Sequence, residues 1–177
     1  MKKLITILLL LISTVLVAQD FYRDTVLERM MLKEVNVYRV ERGLVPFTWN
    51  DDNTTAVDWG EYLATQEFGL THSELTMVGT SEILANIPFI FNGDNLKLIK
   101  HTINRWDASP MHKQQMVRPE SERAFFAAIV YYGPCSSTSK QKIKRVIFVG
   151  QFQYSKEFYL TYYEKMKDIH KYLKTEK

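Results

Sequence analysis

The sequence predicts an α+β sandwich. Three observations carry this reading: helix-period apolar spacing in the first half, two apolar strand runs late in the chain, and helical spacing again at the end. Apolar side chains make up 46% of the 177 residues, enough for one substantial core.

Residues 1–19 read as an address rather than as part of that fold. Lys2 and Lys3 are followed by an apolar run from Leu4 to Val17, broken only by Thr6, Ser13 and Thr14, and Ala18-Gln19 closes it. A membrane span needs ~20 apolar residues. This run is shorter and has the flanks of a secretory signal. The expectation is export, with a cut near Ala18-Gln19, a secreted or periplasmic protein, and no stable membrane anchor after cleavage. Cys135 is the single cysteine, so neither a lipid-bearing cysteine at the cut nor an internal disulfide is available. It lies in the polar stretch GPCSSTS and is expected to be an exposed thiol with no neighbour that lowers its pKa. The net charge of +3 includes both leading lysines, so the remainder is nearly neutral, which argues against nucleic acid as partner.

The elements follow in order. Leu27, Met31, Val35 and Tyr38 recur at helical spacing between Phe21 and Glu41, with Asp24 as N-cap and Gly43 as stop. Leu44 to Trp49 contains Pro46 and reads as an extended connector. Asp51 to Phe68 is a second helix that turns Ala56, Trp59, Leu63 and Ala64 inward, and Gly69 ends it. Glu82 to Ile90 reads as a short strand or a loop wall, with Pro88 marking an edge or an end. After the turn Asn92-Gly93-Asp94, a third helix runs from Asn95 to Trp106, and Ser109-Pro110 starts a short helical turn to Val117. Ala124 to Tyr132 and Arg145 to Tyr154 are strands joined by a polar, basic hairpin loop. Tyr159, Tyr162, Met166, Ile169 and Leu173 then mark a C-terminal amphipathic helix. The expected organisation is a signal at 1–19, one domain at 24–154 and an appended helix at 155–177.

Of the four histidines, His170 falls among lysines on the last helix and His101 lies off the Trp106 face of the third. His72 and His112 each follow a helix end, where rigid elements present functional groups. Glu82 lies between them in sequence. Two neutral imidazoles and a carboxylate can bind a divalent metal such as zinc, or form a hydrogen-bonded cluster that ties loops together.

The order of motifs resembles the CAP superfamily, the cysteine-rich secretory, antigen 5 and pathogenesis-related proteins, in its bacterial form. Asn36 and Arg39 match Asn-x-x-Arg, and Gly43, Leu44, Pro46, Phe47 and Trp49 match the Gly-Leu-x-Pro-hydrophobic-x-Trp element. Leu70-Thr71-His72-Ser73, Ser81-Glu82-Ile83-Leu84, Trp106 with Ser109, Pro110, Met111, His112 and Lys113, and Val149-Gly150-Gln151-Phe152 follow in the family's sequence of elements. The resemblance implies an α-β-α sandwich with an antiparallel sheet between helical layers, and a polar cleft at His72, Glu82 and His112. Ser109 stands where many relatives carry a second glutamate, so the two-His, two-Glu set is incomplete. Met111 replaces a glycine, and Phe125 and Phe126 stand where small residues are common.

The function implied is a secreted, non-enzymatic binding module. Its cleft at His72, Glu82, Ser109 and His112 would take a small hydrophobic ligand, lipid, peptide or protein, with a divalent metal on His72, His112 and Glu82 as an optional occupant. The alternatives are a hydrolase, a peptidase or esterase in which His112 activates Ser109 or a water, and a structural or interaction protein whose cleft is vestigial. No G-x-S-x-G elbow supports the hydrolase.

Overall fold

A computed structural model describes residues 21–50, 54–66, 69–73, 80–136, 138–161 and 164. Residues 1–20, His170 and most of the span expected to form a C-terminal helix lie outside the described residues; 156–161 are helical. Strand β1 is Phe21–Arg23, helix α1 Thr25–Val40, strand β2 Thr48–Trp49, helix α2 Thr54–Thr65 and strand β3 Thr80–Pro88. Helix α3 is Asn95–Asp107, helix α4 Pro110–Val117, strand β4 Ser121–Pro134 and strand β5 Lys142–Tyr154. The sheet runs β1-β4-β5-β3 with antiparallel neighbours, and β2 adds a short parallel pairing to β4.

The α+β sandwich is the observed architecture, and side-chain alternation along β4 explains it. Ala124, Phe126, Ala128 and Val130 pack in one core with Leu27, Met31 and Val35 of α1, Leu98, Ile99, Ile103 and Trp106 of α3, and Met116 of α4. Phe125, Ala127 and Tyr131 pack in a second core with Ala56 and Leu63 of α2. Strand residues point alternately to opposite faces, so the continuous apolar run of β4 needs helices on both sides. The two bulky phenylalanines are thus buried on opposite faces. Gly150 permits close packing on the first face: a Cβ there would lie 2.7 Å from the Phe126 ring and 2.9 Å from Ile83.

Caps set the helix entries, at Asp24 as the sequence predicts and at Asp94 within the turn it marks. Asp24 accepts from the amides of Val26 and Leu27, and Asp94 from that of Lys97. Asn92 and Gly93 take positive φ in the turn before α3. The two residues of the Asn-x-x-Arg motif are clamps. Asn36 bonds both the amide and the carbonyl of Phe47, at 2.8 and 2.9 Å. Arg39, almost fully buried, donates to the carbonyls of Val45, Met116 and Arg118 and stacks 3.7 Å from the Phe47 ring. Together they pin the connector and the end of α4 to α1.

Two differences from the sequence reading stand out. Phe21–Arg23 forms an edge strand against β4, through Phe21 opposite Tyr131. Three residues are too few for a period to show. The segment around Glu82 is a strand of nine residues, with Pro88 as its last.

Candidate functional site

β3 is the outermost strand of the sheet, and the site is built across it. Glu82 projects to the α2 side, opposite Gln151 of β5. Its side chain is 1% exposed, yet both oxygens are engaged. Oε1 accepts from His72 Nδ1 at 3.0 Å and from the Ser73 amide at 3.1 Å. Oε2 accepts from Ser73 Oγ at 2.9 Å and from Gln151 Nε2 at 3.4 Å. Thr55 of α2 in turn donates to Gln151 Oε1 at 3.1 Å. A buried carboxylate has about four lone-pair positions to satisfy, and this one is surrounded by four donors.

His72 sits in the segment that leaves α2. Trp59, on that helix, donates from its indole nitrogen to the Thr71 carbonyl at 2.9 Å, while Glu82 holds Ser73 on the other side. The residue is therefore fixed by both neighbours, and its own ring is 57% exposed. A carboxylate only accepts, so the bond to Glu82 places the proton on Nδ1 and leaves Nε2 turned outward as an acceptor.

His112 arrives from the other side of the sheet, on the first turn of α4, and is half-buried. Burial lowers its pKa first, and His72 lowers it further. At neutral pH His112 is uncharged. Ser109 is the N-cap residue of α4, but its hydroxyl makes no capping bond. Trp106 lies flat against Phe126 and donates to the Leu84 carbonyl of β3 at 3.0 Å, which sets where α4 begins relative to the strand. Two buried polar atoms beside these groups have no hydrogen-bond partner: Ser81 Oγ, next to Glu82, and Gln115 Oε1, one helical turn beyond His112.

The structure thus joins His72 to Glu82 directly. Of the residues that hold the cluster, Ser73 and Gln151 fall within motifs read from the sequence, whereas nothing there marks the bonding roles of Thr55 and Trp59. Asp107, the carboxylate nearest Ser109 in sequence, is bonded to the Tyr38 hydroxyl and lies 2.9 Å from Lys113 Nζ. Those two partners hold its carboxyl below the usual range. Burial and the bond to Asp107 push the Tyr38 hydroxyl up to about 12. His101 is away from the cluster, its ring 5.4 Å from that of Phe91. Cys135 is exposed. A shallow cavity of about 190 Å³ lies between α1 and α3, lined by Glu34, Tyr38, Glu41, Lys100 and Asn104 among others, and shares no residue with the trio.

Among the described residues no group of three His, Cys, Asp or Glu side chains is placed to hold a metal ion. Glu82 directs its oxygens to His72, Ser73 and Gln151, and a carboxylate held against an imidazole in this way orients the ring.

No family model matches the chain, and no curated protein matches it. Among solved structures it is similar to an outer surface protein from Borrelia burgdorferi, at 19% identity over 72% of this chain and 92% of that one, with a TM-score of 0.46. It is also similar to a cysteine-rich secretory protein from Staphylococcus aureus, at 15% identity over 75% of this chain and 40% of that one, again with a TM-score of 0.46.

Proposed function

We propose that the chain is an exported, non-enzymatic binding module that takes a ligand between His72 and His112. The observation that carries this reading is the saturation of Glu82. A carboxylate buried under four donors is spent on holding one imidazole in place, with Nε2 presented to solvent. His72 then offers an acceptor, and neutral His112 offers one donor and one acceptor. That pair suits a hydroxyl or amide group of a peptide or a lipid headgroup. Export is supported by the charged start and apolar run of residues 1–17. No helix among the described residues is long and apolar enough to cross a membrane.

A divalent metal is the second occupant that the geometry favours, since a carboxylate-held imidazole is the arrangement in which histidine ligates. Zinc would then sit on the two imidazoles and water, with Glu82 behind His72. Calorimetric titration of zinc into the wild-type chain, a His72→Ala, His112→Ala double variant and Glu82→Gln tests this. The double variant should lose the binding, while Glu82→Gln should weaken it by about 10–100-fold. Equal binding by wild type and double variant would remove both imidazoles from the metal site. The hydrolase reading lacks an activated nucleophile, because the Ser109 hydroxyl is not drawn into the cluster around Glu82. Cleavage of a peptide or ester library that is lost in Ser109→Ala and His112→Ala would reinstate it.

A further inference from the structure

We propose that the end of the sheet formed by the β4–β5 turn and the start of β1 docks on anionic lipid membranes. On the α1/α3 face the core ends at Val130, Val146 and Ile87, all buried. One pleat further on, the same rows carry Tyr132, Lys144 and Phe89, and β1 adds Tyr22 beside them. Tyr22, Tyr132 and Ile90 are 51%, 59% and 63% exposed. Lys144 Nζ lies 4.5 Å from the centre of the Phe89 ring and 5.8 Å from that of Tyr22. Lys142 shares this face by alternation, and Lys140 is exposed in the turn.

The charge is one-sided. Residues 123–156 contain no Asp or Glu, in a chain whose net charge is only +3. Arg145 points to the other face, where it bonds Asn86 and the Pro134 carbonyl, and takes no part. Tyrosine rings that are apolar in body and polar at the tip, set among lysines on long apolar stems, match the headgroup layer of a bilayer.

A partner made only of soluble anion would explain the lysines and leave the exposed Tyr22, Tyr132 and Ile90 without a use.

The test uses the full chain, with an environment-sensitive fluorophore on Cys135, its single cysteine, exposed at the turn. Partitioning is measured onto vesicles of phosphatidylcholine alone and of phosphatidylcholine with phosphatidylglycerol. The ratio of the two constants cancels the apolar contribution of residues 4–17. Each lysine near an anionic surface is worth about fivefold, so Lys140→Gln, Lys142→Gln, Lys144→Gln together should lower the ratio about a hundredfold. Raising salt to about 0.5 M should collapse the ratio for the unmodified sequence, a check that needs no variant. The label should shift to the blue on the anionic vesicles. An unchanged ratio in the triple variant overturns the proposal. So does sedimentation with vesicles while the Cys135 label keeps its aqueous emission, or binding of polyglutamate as tight as that of the anionic vesicles.

Discussion

Glu82→Ala removes the acceptor on which His72, Ser73 and Gln151 converge. The donors differ in what they lose. His72 is 57% exposed and exchanges its bond for one to water. Gln151 makes the longest contact, 3.4 Å, and keeps its bond from Thr55. Ser73 is 7% exposed and loses the acceptor of both its amide and its hydroxyl. A buried donor that loses its partner costs about 1–3 kcal/mol, and bonds to a charged group lie at the upper end. Two such donors, less the relief of no longer burying a carboxylate, give a loss of about 2–4 kcal/mol. Glu82→Gln keeps an acceptor at the Oε1 position and should lose about half as much. Urea unfolding at pH 7 measures both, read as a shift of midpoint at constant slope. An alanine variant within about 0.5 kcal/mol of wild type, the range of ordinary surface changes, would refute the claim that Glu82 organises the segment carrying His72.

Arg39→Met fills the space of the guanidinium stem but abandons the carbonyls of Val45, Met116 and Arg118. Burial pushes the guanidinium down to about 10, so it is still charged at neutral pH and its removal returns part of that cost. The net loss should be about 2–4 kcal/mol, seen as a fall in Tm of about 5–15 °C for a domain of this size; an unchanged Tm contradicts the clamp. Gly150→Ala drives a methyl to 2.7 Å from the Phe126 ring. Overpacking of this kind costs about 1–3 kcal/mol, and a variant as stable as wild type in thermal melts would show that the sheet face has slack. For His112 the folded pKa lies below its ordinary value, from burial first and His72 second. The unfolded chain therefore takes the proton first, and stability falls as pH drops below about 6.5 towards the folded value. His112→Asn should flatten that slope between pH 7.5 and 5 in urea midpoints, and an unaltered slope assigns the acid sensitivity elsewhere.

The elements with long apolar periods were legible in the sequence. β4 and β5 announce themselves as apolar runs; in the structure β4 gains three residues at its start and two at its end and β5 three at its start, because pairing continues past the apolar run. α1 and α3 follow from their stripes, from Asp24 as a cap and from the turn Asn92-Gly93-Asp94. β1 was not legible, since a three-residue strand held by its neighbour has no pattern of its own. β3 was ambiguous because its residues alternate between two different cores, Ile83 and Ala85 facing one and Leu84 the other, so no polar face is left to reveal a strand period. In the site, His72, Glu82 and His112 were legible as residue types through the motif order. The division of labour among them was not. That Glu82 is saturated depends on Gln151 lying opposite it across two strands, a register fact that no local sequence signal records.

Each layer of the sandwich delivers one member of the trio. His72 comes from the segment leaving α2 over one core, His112 from α4 over the other, and Glu82 from the strand between them. Gly150 sets the closeness of packing on the α4 side, and Gly60 does so on the α2 side, where a Cβ would lie 2.8 Å from Ile129. A substitution at Gly150 should shift α4 while leaving the His72–Glu82 bond intact, because that bond lies wholly on the α2 side, whereas one at Gly60 displaces α2 from the sheet and strains that bond. Ligand affinity would then fall with the histidines unchanged, whereas Glu82 variants would free His72 with both cores unchanged. The two classes of variant separate positioning by the fold from positioning by the carboxylate, and only a site shared between the layers predicts that both matter.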